Sequence, residues 1–227
     1  MIGKIPGARA ARGVVSSALH RARFPGSKEY WERRYSTGGT SGAGSYGRLA
    51  RYKAEVLNAF VAERSLQRVV EFGCGDGHQL GLATYPEYVG LDVSETALRM
   101  CVERFRDDRT KTFLPYDPAT FHDPLRVVRG DVSMSLDVIY HLVEDDVFDS
   151  YMRHLFAAGD RFVVVYSSND PTMHDAAAHV RHRRFTDWVA TEQPAWRLED
   201  RLPNPFATAP GDSDSTVADF YIYRRTT

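Results

Sequence analysis

The stretch VVEFGCGDGHQL, residues 69 to 80, decides how this chain is read. Two valines, an acid and a phenylalanine make a short apolar strand, and Gly73, Gly75 and Gly77 follow at every second position. A strand that runs into spaced glycines reads as a tight turn that a ligand approaches closely, because glycine accepts left-handed backbone and carries no Cβ. A dinucleotide fingerprint would read GxGxxG, yet its third glycine is here His78, and the acid Glu71 precedes the first glycine. The pattern is ExGxGxG.

Working outward, Leu49, Tyr52, Val56, Leu57, Phe60 and Val61 recur at three- and four-residue steps and predict a helix before the strand. After it, Tyr88 to Val93 reads as a second strand ending at Asp92. Ser94 is placed to cap the next helix, whose apolar stripe is Ala97, Leu98, Cys101, Val102 and Phe105. Thr112 to Tyr116 predicts a third strand at an edge, since Pro115 cannot donate to a ladder. Residues 131 to 142, DVSMSLDVIYHL, carry a fourth strand into a loop, and the acids at 144 to 146 start a helix with Val147, Phe148, Tyr151, Met152, Leu155 and Phe156 inward, closed by Gly159. RFVVVYSSN, residues 161 to 169, has the continuous apolar run of a central parallel strand. A helix is expected around 175 to 192, then two strands with no helix between them, which suggests an antiparallel pair near the C-terminus. The fold class is therefore α/β, a doubly wound and mostly parallel sheet.

In such a sheet, ligands sit at the carboxyl ends of the strands near the topological switch point. Glu71 to Gly77, Asp92, Asp117, Asp137 to His141 and Ser167 to Asn169 all fall there. Asp92 ends the second strand, where an acid accepts hydrogen bonds from both ribose hydroxyls, so an adenosine-containing ligand is implied.

Composition bounds the rest. With 227 residues and 43% hydrophobic content the chain supports one well-buried domain. Cys74 and Cys101 lack CxxC spacing and supply neither a disulfide framework nor a cysteine zinc site, so a cytoplasmic setting is expected. No apolar run is long enough to span a bilayer. The 29 basic and 30 acidic residues, with no basic stripe interleaved with aromatics, are read as arguing against nucleic acid as a partner. Residues 1–28 form a basic tail with no acid, either a solvated terminus or a peripheral contact for anionic lipid. Residues 29–227 form the single domain. Its first part, 29–47, combines Tyr30, Trp31 and Tyr35 with the small-residue run GGTSGAGSYG and is expected to be a mobile lid. It is not a P-loop, having neither a preceding strand nor a GK[ST] ending.

EFGCGDG with GLDVS resembles the class I S-adenosylmethionine-dependent methyltransferases, over roughly residues 48 to 227. The resemblance implies a Rossmann-like sheet and S-adenosylmethionine as cofactor. Glu71, Gly73, Gly75 and Gly77 would then wrap its amino-acid end, Asp92 with the adjoining Val93 would hold the ribose, and Asp117 would meet the adenine amino group. Tyr35 of the lid joins the same set. Cys74 reads as a small filler in the turn, because no positioned base accompanies it.

For the acceptor, the loop after the fourth strand reads SLDVIYHL and not the [DN]PPY of many methyltransferases acting on base or glutamine nitrogens, and NPF at 204–206 comes too late in the chain. A small polar acceptor is expected, such as the hydroxyl of a sugar, glycan or other metabolite. His141 is the candidate general base, since imidazole suits proton transfer near neutral pH, with Asp137 as its orienter or as the base itself. The alternative is that Asp137 starts a turn and His141 packs on the next helix. His179, Arg181 and Arg183 in HVRHRRFTDW would clamp an anionic or sugar-like substrate, or else form a solvated helix face. Some sugar O-methyltransferases use a divalent cation, but the acids at 144 to 146 are read as a helix start and no metal is expected. Two rivals remain, a nicotinamide-dependent oxidoreductase and a non-catalytic binding module of the same fold.

Overall fold

The computed structural model describes residues 24–173, 177–206 and 215–226. The greater part of the basic tail, residues 1–23, lies outside the described residues. Seven strands form one sheet: β1 (Arg68–Phe72), β2 (Glu87–Asp92), β3 (Lys111–Pro115), β4 (Gly130–Leu136), β5 (Gly159–Ser167), β6 (Trp196–Leu202) and β7 (Asp219–Arg225). Their order is β3-β2-β1-β4-β5-β7-β6, with β1 to β5 parallel and β7 antiparallel to both β5 and β6. The chain leaves β1 toward β3 on one side and returns at β4 toward β5 on the other. The switch point is therefore between β1 and β4, directly above the glycine turn. The expected Rossmann-like α/β fold and its late antiparallel pair are both present.

Among the described residues, five helices accompany the sheet: α1 (Ser27–Ser36), α2 (Gly47–Glu63), α3 (Glu95–Arg104), α4 (Asp145–Ala158) and α5 (Phe185–Glu192). On one face, Leu57, Phe60 and Val61 of α2 and Leu98 and Cys101 of α3 pack against Val69, Val132, Met134 and Val164. On the other, Phe148, Met152, Leu155 and Phe156 of α4 meet Val70, Phe72, Val163 and Val165. Alternate residues of β1 and β5 thus enter opposite cores, which is why these strands are apolar throughout. Among the described residues, no helix is long and apolar enough to cross a membrane.

Four details differ from the sequence reading. The aromatic segment before the glycine-rich run is a helix, α1, beginning at Ser27. The run itself contains a 3-10 turn at Ala43–Ser45 and is fastened to the glycine turn. Of the helix expected around 175 to 192, residues 174–176 lie outside the described residues and the part from 177 is helical over Phe185–Glu192; before it, Arg181 donates its backbone N–H to Tyr140 and its side chain to Val143, and the chain lies across the loop after β4. Gly159 does not cap α4 in the left-handed region but opens β5 at φ −83°, and a Cβ there would sit 2.5 Å from the Phe162 carbonyl oxygen.

Ser94 caps α3 by accepting the Ala97 N–H at 3.1 Å and donates to Glu32 of α1 at 2.6 Å. Replacing Ser94 with Ala should lower stability by about 1 to 2 kcal/mol, the range for a lost N-cap. A urea titration of both proteins checks this.

Candidate functional site

The carboxyl ends of β1, β2, β3 and β4 and the inner side of α1 enclose a cavity of about 1130 Å³. The glycine turn forms its floor. Gly73 and Gly75 have φ +82° and +57°, in the left-handed region. A Cβ on Gly73 would lie 2.5 Å from Val138, and one on Gly75 would lie 2.3 Å from Ser41 Oγ. The glycines therefore admit two protein segments to the floor, the loop after β4 and the lid. Gly77 faces Phe105 and Cys101 and does not line the cavity.

The lid is held by reciprocal hydrogen bonds. Ser41 N–H donates to Asp76 Oδ2 at 3.0 Å, and Asp76 N–H donates to Ser41 Oγ at 3.0 Å. The Tyr46 hydroxyl donates to the same carboxylate at 2.9 Å, and Tyr35 and Ser41 share a hydroxyl contact at 3.0 Å. Tyr35 is buried and lines the cavity. α1 is tied down at three points by Ser27 with Glu144, Lys28 with Asp117, and Glu32 with Ser94 and Thr96.

Three carboxylates reach the floor. Asp92 accepts N–H groups from Gly75 at 2.8 Å and Ser94 at 2.9 Å. These use about half of a carboxylate's acceptor sites and leave capacity for hydroxyl donors. Glu71 accepts the Tyr88 hydroxyl at 2.7 Å. Burial pushes Asp92 up to about 6 and Glu71 up to about 7. Asp137 is paired with Lys53 at 2.6 Å and accepts the Tyr140 hydroxyl at 2.9 Å. Val93 and Asp117 line the same cavity, and Asp117 Oδ2 is 2.6 Å from Lys28 Nζ. That ion pair lowers the carboxyl of Asp117.

His141 lines the cavity beside Leu142 and Glu144. Its Nδ1 lies 3.0 Å from the His179 carbonyl oxygen, which can only accept, so Nδ1 carries the proton and Nε2 is the acceptor in the neutral ring. Burial pushes the imidazole down to about 4, so it is neutral at pH 7. Trp31 meets it edge-on at 5.0 Å and His179 stacks on it at 5.3 Å. The Asp137 carboxylate accepts from Lys53 and Tyr140, and the His141 ring donates from Nδ1 to the His179 carbonyl, so the described hydrogen bonds that orient the imidazole do not include Asp137.

The remaining sequence candidates stand behind this loop and do not line the cavity. Arg181 and Arg183 both pair with Asp145, at 3.0 and 3.1 Å, and both donate to the Val143 carbonyl. His179 stacks on Tyr30 at 4.4 Å. Cys101 Sγ lies 3.1 Å from the Gly75 carbonyl, and a hydrogen bond with Cys101 together with burial raises the Cys74 thiol. Both thiols are buried, as a filler role requires. Among the described residues, no group of three or more His, Cys, Asp or Glu gathers to hold a metal ion.

Sequence reasoning missed Lys53, Glu144 and Ser27. The signal for Lys53 was a charge in the middle of the inward stripe of α2, between Leu49 and Leu57.

The raised carboxylates set a pH dependence of stability. From about 4.5, where Glu71 ionises in the unfolded chain, to about 7, the unfolded chain has released a proton that the folded protein still holds. Its contribution is fully present below that window and is lost as pH rises through it, by on the order of 3 kcal/mol. Asp92 acts in the same direction between about 4 and about 6. His141, pushed down to about 4, acts in the opposite direction up to about 6.5, so the fall in urea midpoint should be clearest between pH 6.5 and 7, and Glu71→Gln should flatten it.

No family model matches the chain, and no curated protein matches it. Solved structures do. N-methyltransferase NodS from Bradyrhizobium japonicum WM9, in complex with S-adenosyl-L-homocysteine, superposes with a TM-score of 0.67 at 15% identity, over 89% of this chain and 100% of that one. Magnesium protoporphyrin IX methyltransferase (ChlM) from Synechocystis PCC 6803, with bound S-adenosylhomocysteine, gives 0.60 at 16% identity over 95% and 100%. Small RNA methyltransferase HEN1 gives 0.58 at 17% identity, over 81% of this chain and 26% of that one. The exclusion of nucleic acid drawn from the charge balance does not stand, because an RNA methyltransferase shares this fold. A balanced total is an average that says nothing about local clusters, such as Arg197 beside Arg224 on neighbouring strands. The chain has the fold of the class I S-adenosylmethionine-dependent methyltransferases.

Proposed function

We propose that this protein is an S-adenosylmethionine-dependent methyltransferase acting on a hydroxyl of a polar acceptor. The observation that carries the reading is the cavity floor, where Glu71 and Asp92 meet over the ExGxGxG turn within reach of Lys53 as the buried cation. A floor rich in carboxylates suits a ligand that carries positive charge and ribose hydroxyls. It repels a pyrophosphate, which counts against a nicotinamide dinucleotide. Solved structures of the same fold that hold S-adenosylhomocysteine support the assignment.

Glu71, Gly73 and Gly75 would hold the amino-acid end of the cofactor, with Tyr35 above. Asp92 and Val93 would hold the ribose, and Asp117 the adenine amino group once Lys28 yields. Bound there, the cofactor supplies an electrophilic methyl group on a positively charged sulfur. The chain's own contribution is alignment and exclusion of water: well-oriented reactants account for roughly 7 to 11 kcal/mol of barrier. His141 Nε2 accepts the proton of the acceptor hydroxyl. A base at about 4 is weak for a free alcohol, but an oxygen that has gained a methyl group is a very strong acid, so a neutral imidazole suffices. Arg181 and Arg183 would influence the acceptor through the loop they brace.

Calorimetric titration with S-adenosylhomocysteine, beside NADH, tests the cofactor. Binding that Asp92→Ala weakens by about 1 to 3 kcal/mol is expected, the scale of lost hydrogen bonds at a buried site. Affinity should also fall as pH drops through about 6, because a protonated Asp92 accepts fewer hydroxyl donors. Binding of NADH in its place would overturn the reading. For the acceptor, a labelled-methyl screen over polyhydroxylated metabolites, glycans, amines and RNA is the direct assay. On the acceptor found, His141→Ala should lower turnover at least about tenfold with cofactor affinity unchanged. Normal turnover would remove His141 from the mechanism.

A further inference from the structure

Lys53 is an unusual residue to find on the inward stripe of α2. Its side chain is 0% exposed, its Nζ lies 2.6 Å from Asp137 Oδ2, and it sits 5.3 Å over the Tyr166 ring. An ammonium is removed from water this completely only when it is paired. Its partner makes the turn: Asp137 has φ +60°, left-handed backbone that non-glycine residues seldom adopt, aspartate and asparagine more readily than most. Both carboxylate oxygens are engaged, one by Lys53 and one by the Tyr140 hydroxyl, and the Asp137 N–H donates to the Tyr166 carbonyl at 2.9 Å.

The turn at Asp137 decides where the next four residues go. Val138 lies over Gly73, the Tyr140 carbonyl accepts the Arg181 N–H at 2.8 Å, and His141 reaches the cavity with Nδ1 on the His179 carbonyl. An unheld Asp137 would relax toward ordinary backbone, and that change would swing Val138 off the glycine turn and His141 out of its slot. We propose that Lys53 is a positioning residue for His141: its buried ion pair with Asp137 fixes the left-handed turn that ends β4 and so sets the proton acceptor in the cavity. The inference rests on the proposed role of His141 for its catalytic meaning, while the geometry it asserts can be read without any acceptor.

The test uses the full chain with isotope-labelled histidine, the His141 signal assigned by its loss in His141→Ala. Nuclear magnetic resonance then follows the His141 titration in wild type, Lys53→Met and the double variant Lys53→Met with Asp137→Ala. Lys53→Met strands a buried carboxylate and can fail to fold. The double variant replaces the pair by two apolar groups, an exchange buried pairs tolerate, and alanine, unlike aspartate or asparagine, has no side-chain bond that favours left-handed backbone. In the wild type, where His179, Asp137 and Arg34 act on the ring, His141 should stay neutral down to about 4. In the variants the released ring should titrate at least one unit higher, toward 6.5. A folded double variant with the wild-type titration would overturn the proposal. Failure of the wild type to bind S-adenosylhomocysteine would instead strike the proposed function, and the titration would still decide the turn.

Discussion

The floor of the cavity depends on the absence of two Cβ atoms. At Gly73 the space is taken by Val138, and at Gly75 by Ser41, with the Tyr35 hydroxyl beside it. Two segments distant in sequence, the loop after β4 and the lid before α2, thereby close on the end of β1. Any side chain at either glycine would force them apart and would also need a left-handed backbone that it adopts at a cost. The turn therefore joins three parts of the chain into one site, besides making room for a ligand.

Electrostatics follow from that closure. Once α1 and the lid cover the floor, Glu71 and Asp92 are cut off from water, and the charged form of each becomes costly. The protein offsets this with aimed donors: the Gly75 and Ser94 N–H groups at Asp92, the Tyr88 hydroxyl at Glu71, and the ammonium of Lys53 at Asp137. Desolvation still wins at Glu71 and Asp92. Carboxylates poised near neutrality fit the proposed ligand, which brings hydroxyl donors and positive charge. Stability is given up locally to hold them so.

The basic and histidine-rich segment 179–184 shows how a motif changes meaning with its surroundings. As sequence it reads as an anion clamp or as a solvated helix face. In the fold, Arg181 and Arg183 turn inward to cap the carbonyls of Leu142 and Val143 and pair with Asp145 at the start of α4. His179 joins a ring stack with Tyr30 and His141. Glu144 likewise does not cap α4 through its side chain but spans to Ser27, tying the lid helix to the loop that carries His141.

The sequence by itself determined the order of strands and, apart from α1, of the helices, the doubly wound class and the late antiparallel pair, because those rest on periodicity and on turn residues that act locally. It also marked Glu71, Asp92 and the glycines, since a ligand turn needs them at fixed spacing beside a strand end. Only the tertiary structure decided that Asp137 pairs with Lys53, 84 positions away, that Glu144 reaches Ser27, and that the glycine-rich run is fastened to Asp76. Charged and polar partners are chosen by which side chains the packed helices and loops bring within hydrogen-bond distance and away from water. That proximity has no periodicity along the chain.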